Sequence, residues 1–246
     1  MSLNVCIIGG HGKVALRLAR LLASAKHSVT SVVRDESHAS DIRDVGAKPL
    51  VLSLEDSPIS AFSNEFADKN VVVFSAGAGG KGDQERTKKV DYEGALKVFD
   101  AIEQVNGSRP RLILVSGIDV RHPDHVPSHY TEADLEVSRS IRSSLATWFH
   151  WKYEADKNLA KRTAFKWSIL RPGGLLDSPG TGKASIGRTA LTDRIARDDV
   201  AQALFLLATR QDGDGLALDI VGGDTPIEEA LDAAITKGET DLVIPE

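Results

Sequence analysis

Gly9-Gly10-His11-Gly12-Lys13-Val14-Ala15 follows directly on the apolar run Asn4-Val5-Cys6-Ile7-Ile8. A short strand, a glycine turn and an amphipathic helix form the arrangement that holds a dinucleotide. In that arrangement Gly9 permits the tight turn, Gly12 lets a pyrophosphate approach the backbone, and small Ala15 lets the helix pack close to the strand. The free N–H groups and positive dipole end of the helix then face the phosphates. The spacing is Gly9-x-x-Gly12-x-x-Ala15, and Gly10 fits the other common spacing less well. A glycine motif alone is weak evidence. Here it follows a strand, opens a helix and precedes a second strand that ends in a charged residue.

Outward from this turn, apolar strands alternate with helical patterns, which predicts a doubly wound parallel sheet. The expected strands are residues 3–8, Ser28–Val33, Pro49–Leu52, Val71–Phe74, Leu112–Val115, Trp167–Leu170 and Ala217–Val221. The first helix is expected over residues 12–25 and one long helical stretch over 130–163. Thr225-Pro226-Ile227-Glu228 predicts a last helix, with Thr225 as cap, Pro226 at the first position and Glu228 closing a capping box. Asp198 or Asp199 is expected to cap another helix. Residues 173–190, rich in Gly, Ser, Thr and Pro, are expected to form a loop over a ligand.

The 246 residues, 41% hydrophobic and 26% charged, suit one soluble α/β domain. A net charge of -5 without a Lys/Arg block argues against nucleic acid as a partner. The single cysteine, Cys6, leaves no internal disulfide framework and is expected in the core. The chain leads straight into a strand without signal-peptide regions, and no apolar run is long enough to span a bilayer. The expectation is a cytoplasmic protein without a membrane partner.

Arg34 ends the second strand, where an acidic residue would bind the ribose hydroxyls of NAD and Arg can pair with the 2′-phosphate of NADP. Asp35 blurs the signal, and the balance favours NADP. Ser75 to Gly82 resembles a phosphate loop, but Ser75 replaces the first Gly and Gly82 stands where Ser or Thr would hold magnesium. Leu114 and Ile118 stand where a hydrolase elbow around Ser116 needs glycines, which argues against acyl transfer. His122, Asp124, His125 and His129 could gather a metal, but the prolines among them predict a surface loop instead.

Gly9-x-x-Gly12-x-x-Ala15, Arg34, Val73-Phe74-Ser75-Ala76-Gly77, Val115-Ser116 and Ile169-Leu170-Arg171-Pro172-Gly173 together resemble the atypical short-chain dehydrogenase/reductases. The similarity is greatest to their NmrA-like and flavin-reductase-like NAD(P)-binding branch, in its uncharacterised fungal members. It covers nearly the whole chain. It implies a Rossmann-like single domain over residues 1–246, in which residues 173–246 supply a small substrate-side extension. It implies a nicotinamide cofactor, with Arg34 favouring NADP over NAD, held by Gly9, His11, Gly12, Lys13, Val14, Arg34, Ser75, Ala76, Gly77, Lys152, Pro172 and Gly173, and it makes Lys152 and Ser116 the candidate catalytic residues.

Active members of this family use a Tyr and a Lys four residues later on one helix. Tyr153 and Lys157 have that spacing. With about 100° per residue, however, Trp148, Trp151, Ala155 and Leu159 form the apolar stripe facing the sheet, and Lys152 falls within it. Tyr153 and Lys157 fall on the other side, Tyr153 as a flank residue and Lys157 as a solvated charge. Lys152 is therefore expected in the family Lys position, with Trp148 where the Tyr belongs. Trp carries no ionisable proton near neutral pH. Two functions follow as expectations: an oxidoreductase passing hydride to a small quinone, flavin or carbonyl compound, or a non-catalytic NADP(H) sensor acting on a protein partner. A sugar-nucleotide epimerase is a weaker third, because it too needs the Tyr.

Overall fold

Val5–Ile8, Val71–Phe74 and Leu112–Leu114 are apolar without alternation, the pattern of strands covered on both faces. The computed structural model of the chain, which describes residues 2–78, 84–240 and 242, places these runs at the centre of one sheet. The strands are β1 (Asn4–Ile8), β2 (Ser28–Val33), β3 (Lys48–Val51), β4 (Val71–Phe74), β5 (Arg111–Val115), β6 (Trp167–Pro172), β7 (Gly174–Leu176), β8 (Lys183–Gly187), β9 (Arg194–Ala196) and β10 (Ala217–Pro226). The helices are α1 (Lys13–Ser24), α2 (Ala39–Asp44), α3 (Ile59–Phe66), α4 (Gln84–Thr87), α5 (Gly94–Glu103), α6 (Glu132–Ser144), α7 (Ala146–Ala160), α8 (Arg197–Thr209) and α9 (Ile227–Lys237).

The sheet order is β3-β2-β1-β4-β5-β6-β10-β8, parallel from β3 through to β10, with β8 antiparallel on the edge. Successive residues of a strand face opposite sides. Val5 and Ile7 accordingly enter a core with α1, α8 and α9, while Cys6 and Ile8 enter the opposite core with α3, α5 and α7. The Cys6 thiol is fully buried, and burial pushes its pKa up, so it behaves as an inert apolar group. The chain order reverses between β1 and β4. Beyond the carboxyl ends of strands at such a switch point, open α/β sheets bind ligands.

Four expectations are corrected. The stretch 130–163 is two helices, broken at Leu145 (φ −124°, ψ 32°), where Ser143 and Ser144 hydroxyls both donate to the Ser140 carbonyl and compete with the helix ladder. Residues 173–190 contain β7 and β8, because β8 covers the edge of β10 and β7 pairs with β9. Thr225 lies in β10 and Pro226 is itself the N-cap residue of α9, so no capping box forms there. Ala196 is the N-cap residue of α8; Asp198 and Asp199 lie in its first turn and accept hydrogen bonds from the Gly180, Thr181 and Gly182 amides instead.

Candidate active site

The glycine turn is built for close approach. Gly9 (φ +81°) and Gly10 both donate their amides to the Val32 carbonyl, at 3.2 and 2.9 Å. A Cβ on Gly9 would lie 2.6 Å from the Ala76 Cα, and one on Gly10 would lie 2.5 Å from the Ser31 Cβ. Gly10 is therefore needed as much as Gly9, which the spacing rule undervalued. Gly12 is the N-cap residue of α1, gives no side-chain cap, and the first turn of the helix holds no acidic residue. The amides of that turn are left for an anionic group. Gly9→Ala is expected to cost about 2 kcal/mol or more through backbone strain, with Tm lowered by roughly 5 °C. A thermal melt of the apo protein checks this, and an unchanged Tm would show that the turn tolerates a side chain.

A cleft of about 370 Å³ opens over this turn and the carboxyl ends of β2, β3 and β4. Gly9, His11, Gly12, Arg34, Ser75, Ala76 and Gly77 line it, so seven of the expected cofactor residues converge there. Lys13 and Val14 are near but offer only backbone: Lys13 Nζ reaches Asp177 at 2.8 Å and the Val14 side chain is in the core. Pro172 and Gly173 lie further along the sheet at the end of β6, where the Gly173 amide donates to the Ile220 carbonyl. The glycines from Gly79 to Gly82 lie outside the described residues.

Lys152 lies on the sheet side of α7 with its side chain only 6% exposed. Its Nζ donates to the Val115 carbonyl at 3.2 Å and lies 3.4 Å from Asp91 Oδ1. An ammonium carries three donors; Val115 takes one of them in a hydrogen bond and Asp91 pairs with its charge. Asp91 was not anticipated from the sequence. It sits in a π-helical turn at residues 88–93, is almost fully buried, and its Oδ2 accepts the Ala78 amide at 2.8 Å. Such turns recur at functional sites. Asp91 thus ties the strand-end loop at Gly77 and Ala78 to Lys152. No sequence signal marks it, since its partners lie 13 and 61 residues away.

Trp148 stands one turn before Lys152, with the Lys152 ammonium 6.0 Å from the ring centroid. Its indole fills the space above Gly117, where any Cβ would collide with Cη2. Glycine at 117 is thus what admits the large ring. The buried Ser116 hydroxyl donates to Asp156 Oδ2 at 3.0 Å. Asp156 is fully buried and also accepts from Arg171 Nε and Nη2, at 3.2 and 3.0 Å. Burial pushes the Asp156 carboxyl up, against the pull of Arg171, Ser116 and Lys152.

Tyr153 is buried rather than a flank residue. It packs with Val120 and Phe149, and its hydroxyl has no hydrogen-bond partner among the described residues. Burial pushes its pKa up. Val120 and His122, in the loop after β5, pack against Phe149 and Tyr153 and give α7 a second buried side. Lys157 is only part-exposed and pairs with Glu154 at 2.8 Å. His122 and His125 are ring neighbours with centroids 5.3 Å apart, while His129 Nε2 lies 3.2 Å from the Thr189 carbonyl. Among the described residues no group of three or more His, Cys, Asp and Glu is placed to hold a metal, and no helix is long and apolar enough to cross a membrane.

Residues 9–211 match the NAD(P)H-binding family. The chain belongs to that family. Membership agrees with the resemblance drawn from the motifs and with a nicotinamide dinucleotide as the group the glycine turn receives. The chain is 41% identical over 238 residues to a UPF0659 protein of Schizosaccharomyces pombe, covering 95% of this chain and 96% of the relative. It is 31% identical over 230 residues to the uncharacterized sugar epimerase YhfK of Bacillus subtilis, covering 93% and 99%. A Bacillus halodurans structure assigned by name to the NAD-dependent epimerases/dehydratases superposes with a TM-score of 0.78 at 29% identity, over 94% of this chain and all of that one.

Proposed function

We propose that this NAD(P)H-binding chain is an NADP(H)-dependent oxidoreductase that passes hydride to a small planar conjugated acceptor, a quinone or a flavin. The observation that carries this reading is Trp148 at the position one turn before Lys152, lying over Gly117. Reduced nicotinamide, when bound, supplies the hydride. Lys152 has a donor left for a ribose hydroxyl, and Asp91 fixes the ammonium in place. Trp148 offers a flat apolar face and no ionisable proton. A carbonyl acceptor needs a proton at its oxygen as the hydride arrives. A conjugated ring system spreads the added charge and takes its proton from water.

Exposed Arg34, lining the cleft at the end of β2, supports NADP over NAD through pairing with the 2′-phosphate. Residues from Gly173 onward form the acceptor side. The sugar epimerase name borne by the Bacillus subtilis relative describes chemistry that needs the tyrosine Trp148 replaces.

The test is an NADPH-oxidation screen against quinones, free flavins and activated aldehydes. Quinone or flavin turnover with negligible aldehyde turnover is expected. Aldehyde reduction at comparable rates would overturn the acceptor assignment. Tight NADPH binding without turnover on any acceptor would establish the second reading, a sensor, which the missing tyrosine also favours. Trp148→Tyr is expected to raise aldehyde reduction by about tenfold or more, because it returns a general acid one turn from Lys152. Initial rates with a single activated aldehyde measure that gain.

A further inference from the structure

Asp35 Oδ1 accepts the Ser37 amide at 2.9 Å and so starts a short turn after β2 at Glu36–His38. That turn brings His38 back to the same cleft that Arg34 and His11 line. The His38 and His11 rings are stacked, with centroids 3.8 Å apart and planes within 7°. His11 is itself held by Asp41, whose Oδ2 lies 2.7 Å from its Nε2, and that bond holds the Asp41 carboxyl below its usual pKa. We propose that His38, seated on His11, is a specificity-determining residue for the adenosine 2′-phosphate, working beside Arg34. This rests on the NADP reading above.

The charges around the pair supply the reason. Arg34, Asp35 and Glu36 flank His38 on its own turn; Asp41 and Arg43 face it from α2, with Arg43 3.7 Å from Glu36. Glu55 after β3 and Arg86 on α4 line the same cleft, and Lys13 on α1 is engaged by Asp177. Four carboxylates, Asp35, Glu36, Asp41 and Glu55, thus oppose Arg34, Arg43 and Arg86, and the arginines by themselves make a weak phosphate site. A protonated His38 supplies a further cation with a hydrogen bond. Two stacked imidazolium rings repel; Asp41 bonds His11 directly, while the carboxylates of Asp35 and Asp41 act on the His38 ring only through space, without a hydrogen bond to it. An incoming phosphate dianion offsets the charge on His38, so the bound 2′-phosphate favours protonation of that ring. NADH, with an uncharged 2′-hydroxyl, carries no such coupling.

The experiment measures Kd for NADPH and NADH on the full chain by tryptophan-to-nicotinamide energy transfer between pH 6.5 and 8.5. Histidine titrates in this range. The phosphate's own second ionisation, near 6, would weaken binding as pH falls and so works against the effect sought. The preference for NADPH over NADH is expected to rise about tenfold from pH 8.5 to 6.5. His38→Gln should abolish that rise and leave the Kd for NADH within about twofold. His38→Arg should restore the preference without pH dependence. A preference for NADPH that is pH-independent, or unchanged in His38→Gln, overturns the role of His38 and leaves the NADP reading standing. Equal affinity for the two nucleotides at every pH overturns the NADP reading itself.

Discussion

Lys152→Met is expected to lower NADPH-dependent turnover about 100-fold or more, the usual cost of removing one preorganised donor from a reacting centre. It should also weaken NADPH binding, because in the proposed function the ammonium takes a ribose hydroxyl. The same change leaves Asp91, 1% exposed, without the ammonium 3.4 Å away. Breaking a buried pair from one side costs about 3–5 kcal/mol, so the single variant alone would confuse instability with lost chemistry. Asp91→Asn in the same chain removes the stranded charge and keeps an acceptor for the Ala78 amide. The double variant should therefore recover most of the Tm of the parent while turnover stays low. Melting curves, Kd and initial rates on the three proteins separate the two effects. Turnover near the parent level in the stable double variant would remove Lys152 from the mechanism.

Arg171→Met carries an expected stability effect as large as that of Lys152→Met. Arg171 is among the largest fully buried side chains, and its guanidinium is the cation on Asp156, which is 0% exposed. Without it the buried carboxylate is left with Ser116 and the more distant Lys152 between α7 and the sheet. The expected loss is about 3–5 kcal/mol, or roughly 6–20 °C in Tm for a chain of this length.

The pH dependence has a definite sign. The folded Asp156 carboxyl titrates above its unfolded value, near 3.9, because burial disfavours its charge. The folded state then binds the extra proton, so the group's contribution to stability falls as pH rises from about 4 towards the raised folded value. Removing Arg171 raises that folded value further. The variant should be weakest near neutral pH and recover part of its stability in mild acid, which melts at pH 5 and 7.5 would reveal. A Tm equal to that of the parent at pH 7.5 would mean that Asp156 already carries a proton there.

Much of the fold was legible. The expected strands Ser28–Val33 and Val71–Phe74 coincide with β2 and β4. β4 lies at the centre of the sheet and is covered on both faces, so its whole length is apolar and its ends are sharp. Edges and caps were less legible. Residues 173–190 carry loop-forming residues yet contain β7 and β8, because the open edges of β9 and β10 supply the hydrogen bonds that local propensity does not. Pro226 carries a helix-start signal, but β8 holds Thr225 and Pro226 in the ladder of β10 and moves the start of α9 one residue on.

The site divides in the same way. Gly9, Gly12, Arg34 and Ser75 to Gly77 follow their strands directly in sequence, so placing the strands placed them at one cleft. The helical period also set Lys152 on the inner face of α7. The period failed for Tyr153, because it assumes one buried face and α7 has two.

By itself, the sequence determined the glycine turn, the order of strands and helices and hence the dinucleotide family, because these depend on local patterns of apolar residues and small residues. Only the tertiary structure decided the partners of the charged groups. Asp91 meets Lys152, Asp156 takes both Ser116 and Arg171, and His11 stacks on His38 through contacts that cross between elements. Periodicity fixes the direction of a side chain from its own element. It carries no information about which residue, tens of positions away, the packing of a second element will bring opposite it.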